Sequence, residues 1–125
     1  MDSEALKGLT ILIAEDEYMI ATDLTQNLVQ AGARVLGPVS SLDGVMDLVE
    51  DADHIDAAIL DVNLQGEKVF PAAEMLEKQG VPFLFATGYD QSAIPPRFKD
   101  VKRCEKPIGS KHLSRLLMTM INKAG

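Results

Sequence analysis

Short apolar runs alternate with amphipathic stretches along the whole chain. Leu9-Thr-Ile-Leu-Ile-Ala14 is β-branched, bounded by charge and apolar at nearly every position, which predicts a parallel strand buried on both faces. Ile20, Leu24, Leu28 and Ala31 then recur at helical spacing on one stripe, and Gly32 stands where a C-terminal cap belongs. Arg34–Val39 reads as a second strand that turns out at Gly37-Pro38. Ser40 is placed to cap a second helix, with Asp43 in its first turn and Leu42, Val45, Val49 and Ala52 on one face. Asp47, Glu50, Asp51 and Asp53 fall on the other, solvated face. Ala57–Leu60 predicts a third strand ending at Asp61, followed by a loop from Val62 to Gly66.

The second half repeats the alternation. A third helix is expected with Val69, Ala72, Ala73 and Leu76 inward, Pro71 in its first turn and Gly80 as its stop. Val81–Ala86 reads as a fourth strand, with Pro82 tolerable near its start. The pattern weakens from Asp90 to Asp100, where Pro95-Pro96 breaks any helix of ordinary length. Val101–Cys104 predicts a fifth strand, closed by Lys106-Pro107. The strongest amphipathic stripe comes last: Leu113, Leu116, Leu117, Met120 and Ile121. Strands that alternate with helices imply an α/β fold with a parallel sheet covered on both faces. No repeat or linker interrupts them.

Composition changes this picture only at the margins. At 125 residues the chain has the size of one domain and can build a core without disulfides. A net charge of -7 argues against nucleic acid and against anionic membranes as partners. No apolar stretch is long enough to span a bilayer and no signal peptide opens the chain, so a cytoplasmic location is expected. The one cysteine, Cys104, falls in the fifth strand and reads as a buried thiol. His54 is expected near the end of the second helix, where the dipole favours it, and His112 at the surface.

The chemistry should lie beyond the carboxyl ends of the strands. Glu15 and Asp16 follow strand one, Asp61 strand three, Thr87 strand four and Lys106 strand five. Clustered carboxylates repel unless a cation or a proton intervenes, and oxygen-only ligands favour magnesium or manganese. A Lys and a Thr beside them suit the oxygens of a tetrahedral anion, as in phosphoryl transfer. Any one of these residues alone is most simply a cap or a solvated side chain; the set of them, each at a strand end, is not. The chain has no GxxxxGK[ST] or GxGxxG loop, and its acidic first turn is a poor nucleotide or flavin phosphate site.

The ordered set Ile11-Leu-Ile-Ala-Glu-Asp-Glu17, Ile59-Leu-Asp-Val-Asn-Leu-Gln-Gly66, Phe85-Ala-Thr87 and Glu105-Lys-Pro107 resembles the receiver domains of two-component response regulators. The resemblance implies a flavodoxin-like (βα)5 fold with strand order 2-1-3-4-5, here with a short or disordered fourth helix. It implies an N-terminal extension over residues 1–8, a receiver over 9–122 and no output domain. Asp61 would be the phosphorylated nucleophile. Asp16 would ligate magnesium, with manganese as a substitute, and Glu15 would act in the same acidic pair, directly or through a water. The Asn63 carbonyl would complete the metal shell, Thr87 would turn its hydroxyl toward the phosphoryl group, and Lys106 would pair with its oxygens. The Lys106-Pro107 bond is expected cis.

The partners implied are a sensor histidine kinase, and a histidine phosphotransfer or downstream target protein. Such a protein is a phosphoacceptor, not a turnover enzyme. The alternatives are a phosphorylation-independent interaction module and a small flavin or nucleotide binder of the same fold. A finer resemblance, carried by Pro82-Phe-Leu-Phe-Ala-Thr-Gly-Tyr89, Val62–Gly66 and Pro71, is to an atypical alphaproteobacterial branch with a Phe-Ala-Thr-Gly-Tyr signature, several of whose members pair with HWE-class kinases. Gly88 stands where Ala is usual, and Arg103 where a switching aromatic is common. Gly88 and the segment from Asp90 to Asp100 are therefore expected to supply the mobile element. Tyr89 is expected at the mouth of the site, shielding the acyl phosphate, contacting the kinase, or merely packing the loop.

Overall fold

The computed structural model describes residues 5–88, 94–106 and 109–124. Its elements in chain order are β1 (Thr10–Ala14), α1 (Tyr18–Gln30), β2 (Arg34–Val39), α2 (Leu42–Asp51), β3 (Ala57–Asp61), β4 (Asn63–Leu64), β5 (Glu67–Lys68), α3 (Phe70–Lys78), β6 (Phe83–Thr87), β7 (Arg103–Glu105) and α4 (Ser110–Ala124). Five strands form one parallel sheet in the order β2-β1-β3-β6-β7, which is the order 2-1-3-4-5 expected of a (βα)5 receiver.

The period of two along each strand sorts the core into two halves. Ile11, Ile13, Ala57, Ile59, Leu84 and Ala86 face Leu24 and Leu28 of α1 and Leu113, Leu117 and Met120 of α4. Leu12, Ala14, Ala58, Leu60, Phe83 and Phe85 face Val45 and Val49 of α2 and Ala72, Ala73 and Leu76 of α3. Burying one such Leu, Ile or Phe is worth about 1.5–3 kcal/mol, so the two halves together dominate the stability of the fold. Leu6, ahead of the first strand, is also fully buried, and its N–H donates to the Ala31 carbonyl. Gly32 ends α1 at φ +95, and a Cβ there would lie 2.9 Å from the Lys7 Cα. That position needs glycine for both reasons.

Several local expectations shift. The cap of α2 is Ser41, not Ser40: Ser41 Oγ accepts from Gly44 N at 3.1 Å. Ser40 sits one residue too early to reach the first turn. β6 begins at Phe83 because Pro82 lacks an N–H and Val81 N is spent on the Leu76 carbonyl that stops α3. β7 is displaced to Arg103–Glu105 because Val101 N closes a turn on the Phe98 carbonyl. The expected loop from Val62 to Gly66 is instead a tight hairpin: Leu64 pairs with Glu67 across a two-residue turn, Gln65-Gly66. His54 lies beyond α2 and contacts Asp56 Oδ1 at 2.7 Å, a side-chain partner in place of the helix dipole.

Between β6 and β7 the described residues contain one 3-10 turn, Pro96–Phe98, where the fold would otherwise carry its fourth helix. The turn is anchored. Phe98 is fully buried against Phe70, Phe83 and Phe85, with ring centroids 5.7–6.2 Å away. Arg97 lies over the Phe98 ring and reaches Glu74 at 2.8 Å and Glu77 at 3.0 Å on α3.

Candidate functional site

The carboxyl ends of β1, β3, β6 and β7 bring the expected residues to one rim. Glu15, Asp61 and Thr87 are the buried polar residues among those described. Hydrophobic strands alone would not bury a carboxylate, so each needs compensation. For Asp61, at the end of β3, it comes from Lys106 Nζ, which donates to Oδ2 at 3.0 Å, and from the Asn63 amide, which donates to Oδ1 at 3.3 Å. Glu15 Oε2 accepts from the Glu17 amide at 3.0 Å. Glu15 Oε1 lies 2.9 Å from Lys106 Nζ in a buried ion pair.

Lys106 reaches this position because β7 ends at Glu105 and the Lys106 amide donates to the Thr87 carbonyl at 2.9 Å. Its side chain is 13% exposed and bridges the two acids. Burial pushes its ammonium down, but Glu15 and Asp61 together outweigh that and hold it above its ordinary value. Burial pushes the Glu15 carboxyl up to about 7; the Lys106 ammonium and the Glu17 amide oppose this, and the nearby Asp61 charge adds a smaller push. The rim thus holds one fixed ammonium between two crowded acids.

Asp16 completes the acidic group. One oxygen from each of Glu15, Asp16 and Asp61 lies within 4.8 Å of the others. Asp16 is exposed, and its Oδ2 accepts from the Gln65 amide at 2.8 Å. The donor set fits a hard divalent cation: three carboxylates, with no nitrogen or sulfur ligand in the group among the described residues.

Thr87 is the last residue of β6, and its hydroxyl makes a long contact, 3.5 Å, to the Cys104 carbonyl. Cys104 itself is buried, which pushes its thiol up and keeps it unreactive. Asn63 opens β4 with an exposed side chain. Gly88 is exposed; a methyl there would meet nothing within 4 Å, so close packing does not demand glycine. Arg103 is exposed at the start of β7. Tyr89, Pro107 and the Lys106-Pro107 bond lie outside the described residues, as does the stretch 90–93. Sequence reasoning did not single out Gln65, whose amide holds Asp16. Gln65-Gly66 is not among the dipeptides that mark a two-residue hairpin, so the turn gave no sequence signal.

No protein-family model matches the chain. The curated transcriptional regulatory protein PdtaR of Mycobacterium tuberculosis is 28% identical over 100 residues, and the chain spans about half of that protein's length (48%). SdrG from Sphingomonas melonis Fr1 superposes with a TM-score of 0.81 at 40% identity, covering 94% of this chain and 98% of SdrG. Its BeF3-activated conformation superposes at 0.75, with 36% identity over 97% and 99%. A response regulator receiver protein from Sinorhizobium medicae WSM419 shares the fold, with a TM-score of 0.80 and 23% identity over 96% and 99%. Receivers act as phosphoacceptors and not as turnover enzymes. At 40% identity over nearly all of both chains, this chain belongs to the same family as SdrG, and its fold is that of the response-regulator receivers.

Proposed function

We propose that the chain is a receiver that takes a phosphoryl group from a histidine kinase onto Asp61 with the help of magnesium. The observation that carries this reading is the placement of Lys106 Nζ, 2.9 Å from Glu15 and 3.0 Å from Asp61, beside the Glu15–Asp16–Asp61 triangle. A carboxylate nucleophile, an acidic pair for a cation and a fixed ammonium are the parts that in-line phosphoryl transfer needs.

In the step itself, an Asp61 oxygen attacks phosphorus, the phosphohistidine N–P bond breaks as the O–P bond forms, and the leaving imidazole takes a proton from solvent. Lys106 already donates to Asp61 and would follow the incoming phosphoryl oxygens. Thr87, held only by a 3.5 Å contact, has a hydroxyl able to turn toward the same group. Bound magnesium, held by Glu15, Asp16, Asp61 and the Asn63 carbonyl, would supply charge neutralisation for the equatorial oxygens; manganese has the same ligand preferences. Hydrolysis of the acyl phosphate resets the protein.

The finer reading places the chain in the branch marked by Phe-Ala-Thr-Gly-Tyr, with an HWE-class kinase as donor and a histidine phosphotransfer or target protein as recipient. The identity to SdrG supports it, as does the 3-10 turn at Pro96–Phe98, the one helical turn between β6 and β7 among the described residues. Among the described residues no helix is long and apolar enough to cross a membrane, which accords with a cytoplasmic setting. Gly88, Tyr89, Arg103 and Pro107 would then modulate the switch.

The test is phosphotransfer from autophosphorylated histidine kinases to the wild type and to Asp61→Asn, with magnesium and with chelator. Label should appear only on the wild type with magnesium. Label on Asp61→Asn would overturn the assignment. Absence of label from every kinase and from a small-molecule phosphodonor would instead point to a phosphorylation-independent interaction module.

A further inference from the structure

Gln65 is the one non-glycine residue with positive φ among those described, at +53. It occupies the first turn position of the β4–β5 hairpin, and Gly66 follows at φ +88. Two-residue hairpin turns that need positive φ at both positions favour Asn-Gly or Gly-Gly, and Gln has no such tolerance. A strained residue beside a reactive rim calls for a reason.

The reason lies in how the three carboxylates are held. Burial, the Glu17 amide and Lys106 fix Glu15, while Lys106 and the Asn63 amide fix Asp61. Asp16 is exposed, and the Gln65 amide holds it at 2.8 Å. The hairpin that presents this amide is itself rigidly based. Leu64 is fully buried, and the Val69 amide closes on the Val62 carbonyl at 2.9 Å. The Gln65 side chain extends to Ser40 Oγ at 3.4 Å, so one residue touches the loops after β1, β2 and β3.

We propose that Gln65 is a positioning residue for Asp16: its main-chain amide, aimed by the left-handed turn, holds Oδ2 and leaves the other carboxylate oxygen for the cation. This rests on the magnesium reading of the site. The hairpin then pre-orders the one exposed ligand before the metal arrives, and the hydrogen bond persists once it has bound. The amide does the holding, while the side chain only steadies the turn.

Amide hydrogen exchange followed by NMR tests this on the intact protein. The Gln65 amide should exchange at least tenfold more slowly in the wild type than in Asp16→Ala. That protection should survive saturation with magnesium, while the Glu17 and Asn63 amides shift to report binding. Gln65→Gly and Ser40→Ala, which keep the amide at position 65, should retain magnesium affinity within twofold; Asp16→Ala should lose it at least tenfold. Magnesium-induced shifts accompanied by release of the Gln65 amide would overturn the positioning role alone. So would a loss of affinity in Gln65→Gly as large as that in Asp16→Ala. Absence of any shift at Glu17 and Asn63 would overturn the metal reading and the positioning with it.

Discussion

Two regions of the molecule are held by opposite physics. At the rim, Glu15, Asp16, Asp61 and Lys106 balance charge in a partly desolvated setting. Beneath the Pro96–Phe98 turn, all four phenylalanines of the chain pack ring against ring. The rim should answer to pH and cations, because its stability depends on how its charges are compensated. The aromatic anchor should answer to neither, because dispersion and apolar burial do not titrate. A receiver needs both: a centre that changes with its ligand, and a fixed base from which the change is felt.

The largest expected effect sharpens the inert side of this contrast. Phe98→Ala removes a fully buried ring from that cluster. The loss should be about 3–5 kcal/mol in urea unfolding. It should be the same at pH 5.5 and pH 8, with or without magnesium. A loss under about 1 kcal/mol would mean that the turn does not anchor the segment at all.

Lys106→Met tests the responsive side. It removes the ammonium and leaves two acids facing each other, at a cost of about 2–4 kcal/mol in chelator at pH 8. Magnesium should restore much of that loss, because a divalent cation replaces the missing charge. A loss that magnesium leaves untouched would show that Lys106 acts through packing of its stem instead.

The pH dependence follows from Glu15, whose carboxyl burial raises from 4.5 to about 7. A raised folded value means the folded state binds the proton more tightly than the unfolded chain. The stability this contributes is complete below about pH 4.5 and is lost as pH rises through about 7. Metal-free protein should therefore weaken by roughly 3 kcal/mol between pH 4.5 and 8 on this account. Glu15→Gln should flatten that slope, and magnesium should flatten it in the wild type. An unchanged slope in Glu15→Gln would assign it to another group.

The same contrast explains what could be read from the chain. The rim was legible because Glu15 and Asp61 follow directly on the apolar runs Thr10–Ala14 and Ala57–Leu60, and because Lys106-Pro107 marks the close of the last strand, although Arg103–Glu105 is itself not apolar. The parallel sheet was legible from the alternation of strands and helices, and its order only through the resemblance to receivers. Phe98 was not, because it sits among Pro95, Pro96, Arg97, Lys99 and Asp100 with no period to mark it as core. Its burial comes from three phenylalanines distant in sequence. The Gln65 tether was missed for a related reason: a main-chain amide carries no residue-type signature. Ser41 displaced Ser40 as the cap of α2 because two adjacent serines cannot be told apart by propensity, only by which one meets Gly44 N.

Arg97 is where the two kinds of force meet, and it is expected to matter least. Its guanidinium lies 4.8 Å from the centre of the Phe98 ring while reaching Glu74 and Glu77. All three charged side chains are about half exposed, so water already screens the pairs. Arg97→Met keeps an apolar stem over the ring and removes the charge. The loss should stay below about 1 kcal/mol and shrink further in 1 M salt, where surface attraction is screened within about 3 Å. A loss above about 2 kcal/mol that ignores salt would place Arg97 inside the aromatic anchor, and the division between a titrating rim and an inert base would then no longer hold at α3.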